Sequence, residues 1–370
     1  MPRSGIREVM DLVWQADAPV IGLHVGEPSF PVPSEALQGA HEALDAGHTS
    51  YVPNAGIPEL REAIGDKLRT HNSIQASADD IIVTAGGMQA LSLAMLAVLW
   101  PGDEVLVPDP GWPNFAMAAQ LLNCLPRPYR LSPENEFLPT VEELDRQLTS
   151  KTRLLILNTP SNPLGSVFDE RTIVQVLEWA VKNDLWVISD ECYDAITFEH
   201  PHLSPAAFDT TGRVLSCFSF SKTYSMTGMR VGYVLAPEGT GPVLAKMQEP
   251  VLSCVNAPAQ YAALAALRHA SGSILRARQS YQERRDAACH LLDELGVSYL
   301  LPRGSFFLWV DVHRFTDSAS DFARRAVLEK QVAVAPGTAF GSAGEGYIRV
   351  SLATETHLLL EGLTRIFKGL

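Results

Sequence analysis

Short apolar runs alternating with helical stretches constrain this chain more than any other feature. Asp80-Ile81-Ile82-Val83-Thr84 leads into GGMQALSLAMLAVLW, and Glu104-Val105-Leu106-Val107 leads to PDPGWPNFAMAAQLL. Arg153 to Leu157 (RLLIL) leads through NTPSNPLGSVF to the helical RTIVQVLEWAVKN, and Leu185 to Ser189 (LWVIS) leads to DECYDAI. Strands apolar at every position are buried on both faces, so the pattern predicts an α/β fold with a largely parallel sheet flanked by helices. The C-terminal third differs. Two helical stretches, APAQYAALAALRHA and SILRARQSYQERRDAACHLLDEL, are followed by FFLWVDV, DFARRAVLEK, VAVAPG, YIRVSLA and a last helix. This predicts a smaller α+β domain. The expected division is 1–28 as an N-terminal segment of the small domain, 29–275 as a large domain, and 276–370 as the rest of the small one.

Composition removes several functions. A formal net charge of −13 over 370 residues argues against a nucleic-acid or anionic-membrane partner, which requires a basic face. Its most hydrophobic run, ALSLAMLAVLW at 90–100, is too short to span a bilayer. Met1 to Gly5 is not followed by an apolar signal core. The five cysteines are scattered without a C-x-x-C pair, and the histidines form no H-E-x-x-H. Reduced thiols, no metal and a cytoplasmic location are expected.

In open α/β sheets ligands bind beyond the carboxyl ends of the strands. The residues immediately after each apolar run are therefore informative. Ala85-Gly86-Gly87-Met88 follows IIVT, Asn158-Thr-Pro-Ser-Asn162 follows LLIL, Asp190-Glu191-Cys192-Tyr193 follows WVIS, and Ser219-Phe-Ser221-Lys222 follows VLSCF. Polar groups of different kinds thus converge on one edge. Gly86-Gly87 opening a helix offers backbone N–H groups at the positive end of its dipole, a seat for phosphate or simply a tight turn. Asp190 at a buried strand end needs a partner: a capped turn, or a protonated ring nitrogen. Tyr193 points the same way or fills the core. Lys222 is either an ion-pair partner or a desolvated amine, nucleophilic toward carbonyls. Arg230 is a surface charge or a clamp on phosphate. Together a phosphate seat, a carboxylate, a phenol, a lysine and an arginine form the parts of a pyridoxal phosphate site.

The chain resembles the aspartate aminotransferase-like family of pyridoxal phosphate enzymes, fold type I, class I/II. The resemblance runs through VGEPSFPVP at 25–33, YVPNAGIPELREAI at 51–64, TAGGMQAL at 84–91, PDPGWPNF at 108–115, NTPSNPLG at 158–165, SDECYDAI at 189–196, SFSKTYSMTGMRVGY at 219–233 and YIRVSLA at 347–353. It implies a large domain with a seven-stranded-type sheet and assigns roles by position. Lys222 matches the lysine that bonds covalently to the cofactor and later moves the substrate proton. Asp190 matches the partner of the ring nitrogen, Tyr193 and Asn162 the groups on the ring's phenolic oxygen, and Trp112 the aromatic stacked on the ring. Gly87, Met88, Ser219 and Arg230 match the phosphate ligands. Arg349, with Gly26 facing it, matches the grip on the substrate α-carboxylate, where Asn162 and Trp112 also border the substrate. Tyr51 matches a tyrosine that reaches the neighbouring subunit's cofactor, implying a homodimer.

The resemblance implies ping-pong exchange of an amino group between an amino acid and a 2-oxo acid. Many relatives carry a lysine at the position of Met88, where it helps recognise an acidic side chain. With His24 and the pair Phe306-Phe307 as possible neighbours, Met88 points toward neutral or aromatic donors, unless only its backbone takes part. The rivals are a β-lyase acting on cysteine-type substrates with the same cofactor residues and a non-catalytic pyridoxal-phosphate regulator. The regulator is disfavoured because no further domain is expected ahead of residue 25. A nicotinamide dehydrogenase lacks its glycine fingerprint here and gives Lys222 no purpose.

Overall fold

A computed structural model describes residues 5–16 and 18–368; the start of the N-terminal segment, Met1 to Ser4, lies outside the described residues. The first strand is β1 (Ile21–Gly22). Seven more come next: β2 (Ile81–Thr84), β3 (Glu104–Asp109), β4 (Leu125–Arg130), β5 (Thr152–Asn158), β6 (Trp186–Asp190), β7 (Val214–Ser219) and β8 (Gly232–Leu235). The last group is β9 (Tyr299–Leu300), β10 (Phe307–Asp311), β11 (Val332–Ala333), β12 (Ala335–Pro336) and β13 (Tyr347–Ser351).

Strands β2 to β8 form one seven-stranded sheet in the order β2-β8-β7-β6-β5-β3-β4. All pairings are parallel except those of β8, which runs antiparallel to both β2 and β7. The apolar runs read in the sequence are strands of this sheet, central except for β2 at one edge, and β2, β3 and β7 are buried at every position. β4 carries Pro126 and Pro128 and is largely exposed. It occupies the edge, where a missing N–H costs the sheet least. ALSLAMLAVLW supplies most of the helix Gly87–Val98, packed beside the sheet with Leu91, Leu93 and Met95 buried. The helix Glu170–Lys182 is started by Asp169, whose side chain accepts the Thr172 N–H at 2.8 Å.

Four of the six remaining strands form a second sheet, β12-β13-β10-β9, with β10 and β13 antiparallel. The N-terminal segment joins this body. β1 pairs with β11, and Val9 and Leu23 share an apolar cluster with Phe306, Phe307, Val332 and Leu363. A continuous helix, Ser271–Glu294, runs between the two bodies and passes through residue 275 without a break. Among the described residues no helix is long and apolar enough to cross a membrane.

Candidate active site

β2, β5, β6 and β7 point their carboxyl ends to the same edge of the large sheet, where antiparallel β8 begins. The residues beyond those ends therefore meet in space though they are far apart in sequence.

The cradle expected to seat phosphate is built of backbone. Gly86 has φ +83° and caps the helix Gly87–Val98, leaving its first N–H groups free. That φ favours glycine, and a Cβ at Gly86 would strike the Arg230 guanidinium. A Cβ on Gly87 would lie 2.9 Å from Cys192 Sγ and 3.2 Å from Ser219 Cβ. Gly232 of β8 closes the rear, where a Cβ would lie 2.6 Å from the Gly86 carbonyl carbon. Arg230 is held over this cradle by the carbonyls of Thr227 (2.9 Å) and Ala85 (3.3 Å) and by Ser221 Oγ (3.4 Å). Ser219 Oγ accepts the Ser221 N–H at 3.1 Å, so its own O–H remains free to donate.

Asp190 ends β6, nearly fully buried, and accepts the Cys192 N–H at 3.1 Å. Among the described residues no cation pairs with it. Burial lifts its carboxyl to about 6, against the opposing pull of its hydrogen bonds to Cys192. Tyr193 packs its ring edge-on against Phe306 and Phe307, with centroids at 5.4 and 5.8 Å. Burial drives its phenol well above the ordinary range, so the O–H stays protonated. Lys222 lies in the one-turn helix Phe220–Thr223 and donates through Nζ to the Gly26 carbonyl at 2.6 Å. Desolvation lowers its pKa, with Cys192 opposing and Arg349 reinforcing that shift.

Arg349 projects from β13 into the same region and is buried. It donates to Asn162 Oδ1 at 2.8 Å and to the His24 carbonyl at 2.6 Å, with Phe307 and Phe340 rings 4.1 and 4.7 Å from its Cζ. Its Nε–H has no partner among the described residues, and burial lowers its pKa to about 10. It remains a cation at neutral pH, suited to a carboxylate. Arg349 uses Asn162 Oδ1 and so leaves the Asn162 amide N–H₂ to donate elsewhere. Gly26 is required by proximity, since a Cβ there would meet Phe307 Cζ at 2.9 Å. His24 is buried and held neutral, its pKa lowered to about 4 first by burial and then by Arg349.

Nine of the twelve expected residues thus face one another: Lys222, Asp190, Tyr193, Asn162, Arg349, Gly26, Gly87, Ser219 and Arg230. Met88 gives its backbone to the helix start, but its thioether accepts from Asn114 Nδ2 at 3.5 Å, and the partly buried side chain packs against the apolar cluster under the large sheet. Trp112 stands after β3 with its ring edge-on to Phe115 at 5.5 Å. Tyr51 is 90% exposed and touches none of the others. Sequence reasoning missed Asn158, whose amide joins two catalytic segments: Oδ1 accepts the Asn162 N–H at 2.8 Å and Nδ2 donates to the Asp190 carbonyl at 3.1 Å. A buried asparagine at a strand end was the available signal.

The residues present fit pyridoxal phosphate. A buried carboxylate without a cation suits a protonated ring nitrogen, a glycine-lined helix start beside an arginine suits phosphate, and a desolvated amine suits an aldehyde.

The family described as aminotransferase class I and II matches residues 18–366. The chain is 38% identical to an aspartate aminotransferase of Pyrococcus abyssi, covering 99% of this chain and 95% of that one. It is 37% identical, with the same coverage, to aromatic-amino-acid aminotransferase 2 of Thermococcus litoralis. A solved aspartate aminotransferase of Thermus thermophilus, a single mutant, superposes with a TM-score of 0.95 at 33% identity, covering 100% of this chain and 97% of that one. With its sheet order, strand-end residues and full-length likeness in agreement, this chain belongs to the class I and II aminotransferases and has their fold type I architecture.

Proposed function

We infer that the enzyme, a pyridoxal 5′-phosphate-dependent transaminase, favours neutral or aromatic amino donors and runs a ping-pong exchange with a 2-oxo acid. The observation that carries the chemistry is Lys222: a desolvated amine, hydrogen-bonded to the Gly26 loop, on the same sheet edge as the cation-free carboxylate of Asp190. When bound, the cofactor supplies a carbonyl that exchanges with amino groups and a ring that accommodates an electron pair.

This chain's residues supply the rest. Asp190 holds the ring nitrogen's proton. The Tyr193 O–H and the Asn162 amide would donate to the phenolic oxygen, and Trp112 would supply an aromatic contact to the ring. Gly87 and Met88 N–H, Ser219 O–H and Arg230 take the phosphate. Arg349, braced by Asn162 and His24, orients the donor's carboxylate above Gly26. Lys222 Nζ, its pKa lowered by desolvation, takes the proton from the donor's Cα and delivers one back as the amino group changes hands. Tyr51, exposed on its own protomer, reaches the cofactor phosphate of a second copy, so the working unit is a homodimer. The five free cysteines suit a cytoplasmic protein. Residues 29–275 form the cofactor domain, and 1–28 with 276–370 form the substrate-side body.

The donor preference rests on the apolar backing that Phe306 and Phe307, both fully buried, give the site: Lys222 Nζ lies 6.0 Å from the Phe306 ring centre and Phe307 flanks Arg349. Met88 lends it no support, because its side chain is committed to Asn114 and the core. The test is a panel of amino donors on purified holoenzyme, with and without a 2-oxo acid. Faster turnover of phenylalanine or leucine than aspartate is expected, with no turnover lacking the acceptor. Rapid aspartate and failing apolar donors would reverse the preference, and pyruvate plus ammonia without acceptor would mark a β-lyase.

A further inference from the structure

Behind the site lies a buried ion pair that touches neither the cofactor cradle nor the carboxylate grip. Lys67, on the helix Pro58–His71, pairs with Asp194, both side chains largely buried. Asp194 directly follows Tyr193, and Thr223 directly follows Lys222. Thr223 Oγ1 donates to Asp194 Oδ1 over a long 3.4 Å, and Asn72 Nδ2 donates to Oδ2 at 3.2 Å. Lys67 Nζ also donates to the Tyr233 hydroxyl of β8 at 3.3 Å and sits 4.6 Å from the Phe218 ring centre of β7. Burial pushes the Asp194 carboxyl up, but Lys67, with His202 and Asn72 adding to it, outweighs burial and holds the carboxyl below its ordinary value. One ion pair therefore ties the segments that leave β6 and β7 to each other and to β8. The helix carrying Lys222 has a single turn, capped by Ser219 at its start, and Asp194 is the side chain that restrains its far end.

We propose that Lys67 and Asp194 are positioning residues: they lock Lys222 and Tyr193 into a fixed mutual geometry from the side opposite the substrate. This rests on the roles of Lys222 and Tyr193 in the proposed transamination. Small displacements of reacting groups are costly, since a 1 Å misplacement lowers rates by about 100-fold, and rigid support under a site is what prevents them. A cavity of about 560 Å³ borders the pair and is lined by Lys67, Asp194 and Thr223. Through it water can reach whichever charge remains when its partner is removed, which offsets part of the cost of leaving that charge unpaired.

The test compares Lys67→Met, Asp194→Asn, the double variant and Thr223→Val as cofactor-loaded enzymes. Folding is checked by circular dichroism. Two readouts are taken: steady-state kinetics, and the pH midpoint of the cofactor's absorbance without substrate. The expected result is a kcat loss of about tenfold in both single variants, with little change in KM and a displaced midpoint. The double variant should be no worse than the poorer single one, because the pair acts as a unit. Thr223→Val, which spares the ion pair, should reproduce part of the loss. Folded variants with kcat within about twofold of wild type and an unmoved midpoint would overturn the proposal, as would multiplicative losses in the double variant. Lys222→Ala, run alongside, separates the two readings. If it stays active, the site assignment fails; if it is inactive while Lys67→Met matches wild type, only the positioning role fails.

Discussion

Asp190→Asn should make the cofactor-free protein more stable while weakening the enzyme. In the folded chain this carboxyl is buried, accepts from Cys192 and has no cationic partner among the described residues. Its pKa rises from 3.8 to about 6, chiefly by desolvation. The folded state then binds the proton more tightly than the unfolded chain does. The penalty for ionising it is absent below about pH 4, grows through the interval up to 6, and is complete above it, at ~3 kcal/mol. Asparagine keeps an acceptor for the Cys192 N–H and carries no charge. At pH 7.5 the cofactor-free variant should gain up to ~3 kcal/mol, a rise of roughly 4 °C in Tm for a chain of this length. Calorimetry at a fixed scan rate, repeated at pH 5, measures it, and the gain should shrink at the lower pH. Adding cofactor should stabilise wild type more than the variant, since only wild type supplies the counter-charge for a protonated ring nitrogen. A cofactor-free variant that melts at or below wild type at pH 7.5, or gains equally at both pH values, would refute the reasoning.

Three further outcomes are expected. Lys222→Ala should lose turnover yet still take up cofactor, which borohydride then fails to attach to the chain; undiminished activity would sink the assignment. Arg349→Lys keeps the charge but not the two-pronged donor held by Asn162 and His24. It should lower kcat/KM for the amino donor by about 10- to 100-fold, the worth of a charge-assisted hydrogen bond. Gly86→Ala combines an unfavourable φ with a Cβ that collides with Arg230. It should weaken binding of pyridoxal phosphate, read by fluorescence titration, far more than binding of pyridoxal, which lacks the phosphate.

The sheet and its catalytic edge were legible because burial on both faces forces continuous apolar runs, and the residue after each run must lie at the strand's end. Lys222 stood out for that reason: a cation directly beyond VLSCF needs an explanation. Arg349 was not legible in this way. It lies within β13, and only the resemblance distinguished it from any arginine on a strand. The edge strand β4 went unread because Pro126, Arg127 and Pro128 break the apolar pattern. Lys67 and Asp194 were invisible for another reason. Their contact joins positions 127 residues apart, and a lone lysine on an amphipathic helix looks like a solvated one. Met88 shows the converse, where a residue type suggested a substrate contact while its partly buried side chain packs against the core beside Asn114.

The pairing of β1 with β11 has a consequence in time. Leu23 bonds through its N–H to the Ala333 carbonyl and through its carbonyl to the Ser351 N–H, each at 2.8 Å. Arg349 reaches back across 325 positions to His24. On the ribosome, the large sheet with Lys222, Asp190 and the phosphate cradle has emerged while the strands that receive β1 are still unmade. At rates of roughly 5–20 residues per second, the gap between Arg230 and Arg349 lasts on the order of ten seconds. Through that interval the nascent chain carries the residues proposed for the cofactor without the one proposed for the substrate, and the N-terminal segment must wait for the last strands before it can pair.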